Sequence, residues 1–210
     1  MSDTDEDGVP SPIDFHDLDQ ARAWEKETVK NRPWRPQFFA AFARALNENF
    51  DAPIDILELG SGPGHLAEHV LSHCEIEKYV ALDFSNAMHA LASVRLDSYA
   101  HKVEFSQIDF SKSGWTKGLA NYSAVLTMQA AHETRHKKHL AGFLRAAHET
   151  LRPGGLLLYC DHYAEADSGK NNALYVSRDE QPMALQSAGF TNINLLLDEG
   201  GMALYECHKP

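Results

Sequence analysis

The strongest constraint on the fold is an alternation of short apolar segments with helical patterns, which runs from residue 54 to the end of the chain. The apolar segments have strand length, and the segments between them repeat their apolar residues every three or four positions. This alternation predicts an α/β fold with a mostly parallel sheet covered by helices on both faces. Strands are expected at 54–60, 79–84, 102–110, 122–129 and 156–163, and a hairpin around "EGG" is expected to close the chain.

The exit of the first strand, "LELGSGPGHLAEHV", is the first candidate site, because ligands of such sheets bind at the carboxyl ends of the strands. Gly60, Gly62 and Gly64 permit a tight turn and a close approach of a ligand, and the following helix offers free N–H groups to an anion. Glu58 would oppose a pyrophosphate but suits an ammonium group. The segment therefore favours a ligand with an amino-acid end, and S-adenosylmethionine has that chemistry.

Acidic residues end the next two predicted strands as well. Asp83, followed by Phe84, stands where a carboxylate accepts hydrogen bonds from both hydroxyls of a ribose, although an acid there also caps a helix. Asp109 and Phe110 end the third strand, where a carboxylate accepts from the exocyclic amine of adenine and a neighbouring amide donates to its ring. Taken alone, Asp109 is equally suited to capping a turn. The three acids and the glycines together are far more specific than any one of them.

With these residues, the chain resembles the class I S-adenosylmethionine-dependent methyltransferases. The resemblance covers residues 54–163 and is carried by "LELGSGPG", "ALDFSNAM", "QIDF" and "HETLRPGGLLLYCD". It implies a Rossmann-like, seven-stranded, mostly parallel sheet with helices on both faces and an antiparallel C-terminal strand pair. It also implies a set of residues for S-adenosylmethionine: Glu58, Gly60, Gly62 and Gly64 for the methionine end, Asp83 and Phe84 for the ribose and adenine, Asp109 and Phe110 for the adenine edge, and Met128 and Gln129 near the sulfonium.

The stretch "AAHETRH" contains His132, Glu133 and His136 with the spacing of zinc peptidases. In those enzymes both histidines lie on one helix, one turn apart, and a third ligand follows downstream. Here the motif directly follows a predicted strand, and no Gly-x-x-His comes after it. We therefore expect His132 to lie in a strand-to-helix connection, and we expect no metal site.

A general base is the alternative role for this motif. His132 and Glu133 follow the fourth strand at the edge toward which the methyl group should point, and Asp161, His162 and Tyr163 leave the fifth strand at the same edge. His132 is the candidate base, with Glu133 and His162 as helpers. The histidines would otherwise only hydrogen-bond loop carbonyls, because alignment alone supports many transfers from an activated sulfonium.

The N-terminal quarter divides into two segments before the domain at 54–210. Residues 1–18 are acidic and poor in apolar side chains, which predicts a disordered tail. Residues 19–53 predict two helices separated by Pro33 and Pro36, which would form a lid. Their aromatic and basic side chains would either wall the cofactor pocket or simply cover the sheet: Trp24, Trp34, Arg32, Arg35, Phe38 and Phe39.

Composition narrows the partners and the location. With 19 Lys+Arg against 30 Asp+Glu, the net charge of −11 disfavours nucleic acids and anionic membranes. There is no apolar run of membrane-spanning length and no signal-peptide pattern, and the three cysteines are dispersed, which predicts a cytoplasmic protein with reduced thiols. "MQAAHE" lacks the Asn/Asp-Pro-Pro-aromatic signature, so a small-molecule acceptor is expected, with the protein a monomer or a homodimer.

The sequence therefore predicts methyl transfer from S-adenosylmethionine to an oxygen, nitrogen or sulfur nucleophile of a small metabolite. Two other functions stay open. An NAD-dependent oxidoreductase has a similar sheet, but His65 replaces the last glycine of the dinucleotide motif and Glu58 precedes it. A non-catalytic nucleotide-binding module would keep the cofactor site without methylating an acceptor.

Overall fold

The computed structural model describes residues 8–164 and 172–210, which form a seven-stranded sheet flanked by helices. The strands are β1 Ile54–Leu59, β2 Ile76–Asp83, β3 Val103–Gln107, β4 Tyr122–Met128, β5 Leu151–His162, β6 Thr191–Glu199 and β7 Met202–His208. The helices are α1 Leu18–Asn31, α2 Arg35–Asn49, α3 His65–His73, α4 Asn86–Arg95, α5 Leu140–Thr150 and α6 Glu180–Ser187. Among the described residues, no helix combines the length and the apolar character needed to cross a bilayer.

The order of the strands confirms the predicted fold. It reads β3-β2-β1-β4-β5-β7-β6. Strands β1 to β5 are parallel to one another, whereas β7 lies antiparallel between β5 and β6. The turn between β6 and β7 contains Gly200 and Gly201, both at positive φ, as expected for the hairpin around "EGG". The parallel arrangement brings the carboxyl ends of β1, β2, β4 and β5 to one edge of the sheet.

Alternate residues of the strands pack against helices on opposite faces. Leu57, Val125 and Leu157 are neighbours across β1, β4 and β5, and all three belong to the cluster that includes Phe143 of α5. Ile56 belongs to the opposite cluster, which includes buried residues of α2 and α3. Burial on both faces explains why the central strands are mainly apolar and show no regular alternation with polar residues.

Two predicted element boundaries differ from the structure. Strand β3 ends at Gln107, so Asp109 and Phe110 lie in the loop that follows it and not on the strand. The helix predicted over 136–151 is divided into a short 3₁₀ turn, Lys137–His139, and helix α5. The division has a local cause: His136 has extended backbone angles, and its side chain accepts a hydrogen bond from the N–H of Lys138, which starts a new turn.

The N-terminal segment confirms one prediction and differs from another. Helices α1 and α2 are present, and they meet at Pro33 and Pro36 as the sequence indicated. Residues 1–7 of the predicted tail lie outside the described residues. Residues 8–17, which we call the strap, pack on the domain: Arg135 donates hydrogen bonds to the carbonyls of Val9 and Pro10, and its own carbonyl accepts from the N–H of Val9. Backbone hydrogen bonding, which composition does not reveal, holds this part of the segment in place.

Candidate active site

A cavity opens at the carboxyl ends of β1, β2 and β4, beneath α1 and the strap. The space between its walls, together with the part that is open to solvent, amounts to about 820 Å³. Most of the sequence-predicted residues line it: Glu58, Gly60, Gly62, Asp83, Phe84, Phe110, Met128, Gln129, His132 and Glu133. The N-terminal segment contributes Phe15, Trp24, Arg32 and Arg35, which places these side chains over the cavity as well as over the sheet. Gly64, Asp109 and His162 are outside the lining.

The glycine loop after β1 requires glycine at Gly60 for two reasons. Gly60 has a φ of +72°, and a Cβ atom there would lie 2.2 Å from the Cβ of Ala130 in the loop after β4. Gly62 also has a positive φ, +53°, but a Cβ atom there would meet open space. The loop is therefore pressed tightly against the β4 loop on one side and left open on the other. The open side leaves room for a ligand to approach the backbone.

Glu58 lies behind this loop as a buried acid. Its side chain is 2% exposed and accepts a hydrogen bond of 2.8 Å from the hydroxyl of Tyr79. Burial raises the pKa of Glu58 to about 8, although the Tyr79 hydrogen bond acts in the opposite direction. A cationic group in the cavity would therefore meet an acid that has no internal cation bonded to it among the described residues.

Asp83 connects the second strand to the glycine loop. One carboxylate oxygen accepts from the N–H of Gly62 at 2.8 Å, and the other accepts from the N–H of Ser85 at 2.9 Å. Burial raises the pKa of Asp83 to about 6, against the effect of these backbone donors. Phe84 follows, with its ring 6.3 Å from that of Phe15 and 5.3 Å from that of His16. The carboxylate thus fixes the loop and faces the cavity at once.

The pair predicted for adenine separates in the structure. Phe110 lines the cavity, and its ring packs at 5.1 Å against that of Phe143. Asp109 accepts hydrogen bonds from the N–H and the hydroxyl of Ser111, so it caps the turn after β3. This is the turn-capping arrangement that the sequence left open. A role for Asp109 in binding adenine stays a prediction.

His132 and Asp161 form a pair at the other end of the cavity. His132 lies in a 3₁₀ turn, Ala131–Thr134, immediately after β4, and Asp161 lies near the end of β5. The imidazole Nδ1 is 2.7 Å from Asp161 Oδ1, and the backbone N–H of His132 donates to Asp161 Oδ2 at 3.0 Å. The N–H of His162 also donates to Asp161, at 2.7 Å. Three donors therefore fix the carboxylate, and the carboxylate fixes the orientation of the ring.

Charge around this pair makes His132 strongly basic. Burial alone would lower its pKa, but the carboxylates of Asp161 and Glu133 outweigh that effect and raise the pKa to about 9. Burial alone would likewise raise the pKa of Asp161, yet His132 and the surrounding donors hold it below its usual value. The pair is thus an imidazolium between two carboxylates at neutral pH, and its imidazole form is a strong base.

The predicted helpers of His132 differ in their contacts. Glu133 Oε1 lies 3.3 Å from His132 Nε2, and its other oxygen accepts from Arg135 at 3.0 Å. Because Arg135 also bonds the strap, Glu133 connects the strap to the base. The ring of His162 is 6.0 Å from that of His132 and bonds Gln129 at 2.8 Å. Burial lowers the pKa of His162 to about 4, so it is neutral. Its helper role stays a prediction.

The zinc-peptidase pattern is not realised in the structure. His132 lies in the 3₁₀ turn, and His136 has extended backbone beyond it, so the two imidazoles are not on one helix. Within residues 8–164 and 172–210, no group of three or more histidine, cysteine or acidic side chains is arranged to hold a metal ion. The expected strand-to-helix connection is confirmed.

Two contributors to the site were not assigned a role from the sequence. Asp161 is the partner of His132, and its signal was available as an acid near the end of a strand, like Asp83. Tyr175 covers the pair, with its ring 5.2 Å from that of His132 and 5.6 Å from that of His162. Burial raises the pKa of Tyr175 to about 12, so it keeps its proton. No sequence pattern marked Tyr175, because it lies on the connection between β5 and α6.

Part of the chain matches a known protein family. A family model described as "Methyltransferase domain" matches residues 56–155, which span β1 through the start of β5. Among curated proteins, the chain is 29% identical over 162 residues to the non-reducing polyketide synthase ausA of Aspergillus calidoustus, a match that covers 71% of this chain. The chain spans only 6% of the length of that protein, and a similarly small part of the other curated relatives.

Solved structures share the whole architecture at low sequence identity. An O-methyltransferase family protein from Burkholderia thailandensis superimposes with a TM-score of 0.73 at 15% identity, covering 92% of this chain and 60% of that chain. The CurJ carbon methyltransferase superimposes with a TM-score of 0.63 at 16% identity, covering 75% of this chain and 48% of that chain. At these identities the similarity establishes the fold, and the site must establish the chemistry.

Proposed function

We propose that the chain is a class I methyltransferase, which transfers a methyl group from S-adenosylmethionine to a small acceptor whose proton His132 removes. One observation supports this proposal above the others. A single cavity is lined both by the glycine loop with Glu58 and Asp83 and by His132, whose ring Asp161 orients. The first set suits an amino-acid-bearing nucleoside, and the second suits a nucleophile that must lose a proton.

The residues of the cavity fit this cofactor. Glu58 is a buried acceptor suited to an ammonium group, and α3 begins directly after the glycine loop, so the first backbone N–H groups of that helix suit an anionic group. Asp83 offers carboxylate oxygens to ribose hydroxyls, while Phe84 and Phe110 offer apolar surface to a base. Bound S-adenosylmethionine supplies an electrophilic methyl group on a sulfonium. Met128 and Gln129 also line the cavity, and the proposal assigns them to the surroundings of the sulfonium.

His132 then acts on the acceptor through Nε2. Asp161 keeps the proton on Nδ1, so only Nε2 is free to take a proton from the acceptor. Glu133 approaches the same nitrogen at 3.3 Å, and Arg135 holds the other oxygen of that carboxylate. The two acids stabilise the imidazolium that forms when the proton arrives. A base of this strength suits an acceptor that is itself a weak acid.

A transfer experiment tests the proposal. The purified protein is incubated with tritiated-methyl S-adenosylmethionine and a small-molecule cell extract, and the labelled product is isolated. His132→Ala is expected to lower the rate of labelling roughly 100-fold or more while leaving the affinity for S-adenosylhomocysteine within about twofold. His136→Ala, in the same motif but outside the cavity lining, is the matched control and should keep the wild-type rate.

Unchanged labelling by the His132→Ala variant would remove the base from the proposal. Absence of labelling by the wild-type protein with every extract would support the non-catalytic module that the sequence left open.

A carbon acceptor is a second candidate beside oxygen, nitrogen and sulfur. It is favoured by the relatives, since one is a polyketide synthase and one structural neighbour is a carbon methyltransferase. A carbon flanked by carbonyl groups is a weak acid, which the high pKa of His132 suits. Nuclear magnetic resonance of the product made with ¹³C-methyl S-adenosylmethionine separates a carbon acceptor from oxygen and nitrogen acceptors, because a methyl group on carbon resonates well upfield of one on oxygen or nitrogen.

A further inference from the structure

Two arginines project into the cavity from the corner between α1 and α2. Arg32 follows the last residue of α1, Arg35 is the first residue of α2, and both line the cavity. The guanidinium of Arg35 lies over the ring of Phe39, 5.3 Å from its centroid, and its Nε is buried without a hydrogen-bond partner. Among the residues that the structure describes, no ion pair is found for either arginine.

The acids near these arginines are bonded to other groups. Glu58 accepts from Tyr79, and Asp161 accepts from His132 and His162. Glu25 lies 2.9 Å from Arg95 and 2.9 Å from His65.

Like charge adds to the effect of burial. Burial and the like charge of the neighbouring Arg32 together lower the pKa of Arg35 to about 10. Two cations are thus kept close together, partly out of water and without an ion pair in the described part of the chain. An anion in the cavity would relieve both the repulsion and the loss of hydration.

We propose that Arg32 and Arg35 form a binding site for carboxylate groups in the cavity. This inference rests on the proposed function and assigns two residues outside the glycine motif. Planar guanidinium groups match carboxylates through paired hydrogen bonds, which makes arginine the suitable residue.

The positions of the arginines indicate which carboxylate each one binds. Arg35 is electrostatically coupled to Glu58, so a zwitterionic methionine end would place its ammonium at Glu58 and its carboxylate at Arg35. Arg32 is coupled to Asp161 and Tyr175, which surround the base. A carboxylate of the acceptor would therefore meet Arg32. The site makes the acceptor an anionic molecule.

Calorimetry distinguishes a carboxylate of the cofactor from a carboxylate of the acceptor. S-adenosylhomocysteine and 5′-methylthioadenosine share the thioether nucleoside, but only the first has the amino-acid end. Arg35→Gln should weaken S-adenosylhomocysteine about tenfold or more and leave 5′-methylthioadenosine nearly unchanged, because one charge-assisted contact is lost. Arg32→Gln should leave both ligands nearly unchanged. Arg44→Gln is the matched control, since Arg44 is exposed on the same helix.

Benzoate and benzamide, which share a shape but differ in charge, probe the acceptor end on protein saturated with S-adenosylhomocysteine. Benzoate should bind the wild-type protein more tightly than benzamide, and Arg32→Gln should remove that preference. If benzoate has no advantage, an acceptor carboxylate is contradicted. The proposed carboxylate site is contradicted if Arg35→Gln does not weaken S-adenosylhomocysteine and Arg32→Gln does not remove the preference for benzoate. Retained binding of 5′-methylthioadenosine shows that each variant is folded. A wild-type protein that binds neither nucleoside contradicts the proposed function itself.

Discussion

At the scale of single residues, the site depends on the protonation of His132. Asp161 orients the ring and raises its basicity, and Glu133 adds a second negative charge beside Nε2. At neutral pH these contacts have opposite consequences for the stability of the fold and for catalysis. They stabilise the fold through the imidazolium, and they leave only a small fraction of the ring in the form that accepts a proton.

The pH dependence follows from this raised pKa. Because His132 titrates near 9 and only its neutral form accepts a proton, the rate of methyl transfer should rise about tenfold per pH unit up to about pH 9 and then level off. In Asp161→Asn the rise should end at a lower pH, because the main charge that raises the pKa is lost. Initial rates between pH 6 and 10 give the profile, and ¹⁵N-histidine magnetic resonance gives the midpoint of His132 directly.

The contribution of His132 to stability has the opposite sign. Its pKa in the folded protein is above the ordinary histidine value of 6.5, so the imidazolium stabilises the fold below that value and the contribution is lost as pH rises through about 9. A ring resonance that titrates near 6.5 in the wild-type protein would contradict the role of the two carboxylates.

Individual site residues were predictable where one strand decides their position. Glu58 and Asp83 lie at the end of their own strands, so a strand assignment is enough to place them at the ligand edge. The contact between His132 and Asp161 was not predictable, because it depends on the register of β4 against β5, where Met128 pairs with Cys160. Sequence reasoning placed both residues at the same edge but assigned Glu133 and His162 as the helpers.

At the scale of elements, the loops after β1 and β4 define the floor of the cavity by packing against each other. Gly60 and Ala130 are in contact there, so neither loop has room to move toward the other. The pattern Gly-x-Gly-x-Gly predicted the turn. It did not reveal that the first glycine is required by contact with a neighbouring loop, whereas the second faces open space.

Gly60→Ala tests this packing. The added Cβ would meet Ala130 at 2.2 Å and the backbone would be strained at a φ of +72°. Together these effects should cost about 3 kcal/mol of unfolding free energy, which urea denaturation measures.

Gly118→Ala is the matched control, since Gly118 has a φ of +85° and open space around it. Strain alone should then cost about 1 kcal/mol. Equal losses of stability in the two variants would show that the contact with Ala130 does not constrain the loop.

At the scale of the whole molecule, the N-terminal quarter of the chain contributes Phe15, Trp24, Arg32 and Arg35 to the wall of the cavity. The strap bonds Arg135 at one end, and the carbonyl of Phe15 accepts from the hydroxyl of Ser85 at the other. The sequence predicted the two N-terminal helices because apolar periodicity is a local signal. It could not indicate the strap, whose contacts join residues more than 100 positions apart in the chain.

Phe15→Ala tests whether the strap contributes to binding. The Phe15 ring lines the cavity and lies 5.3 Å from that of Trp24, so its loss should open the cavity and weaken S-adenosylhomocysteine about threefold to tenfold. Val29→Ala, 56% exposed on α1, should not alter the affinity. Equal affinities for the Phe15 variant and the wild-type protein would mean that the strap only covers the sheet.

The central claim is that the cavity binds a sulfonium nucleoside and not a dinucleotide. Isothermal titration of the wild-type protein with S-adenosylmethionine, S-adenosylhomocysteine and NAD measures this directly. We predict one site per chain for the first two ligands, with dissociation constants on the order of micromolar, and no heat of binding with NAD. Tight binding of NAD together with no binding of either sulfur nucleoside would contradict the account.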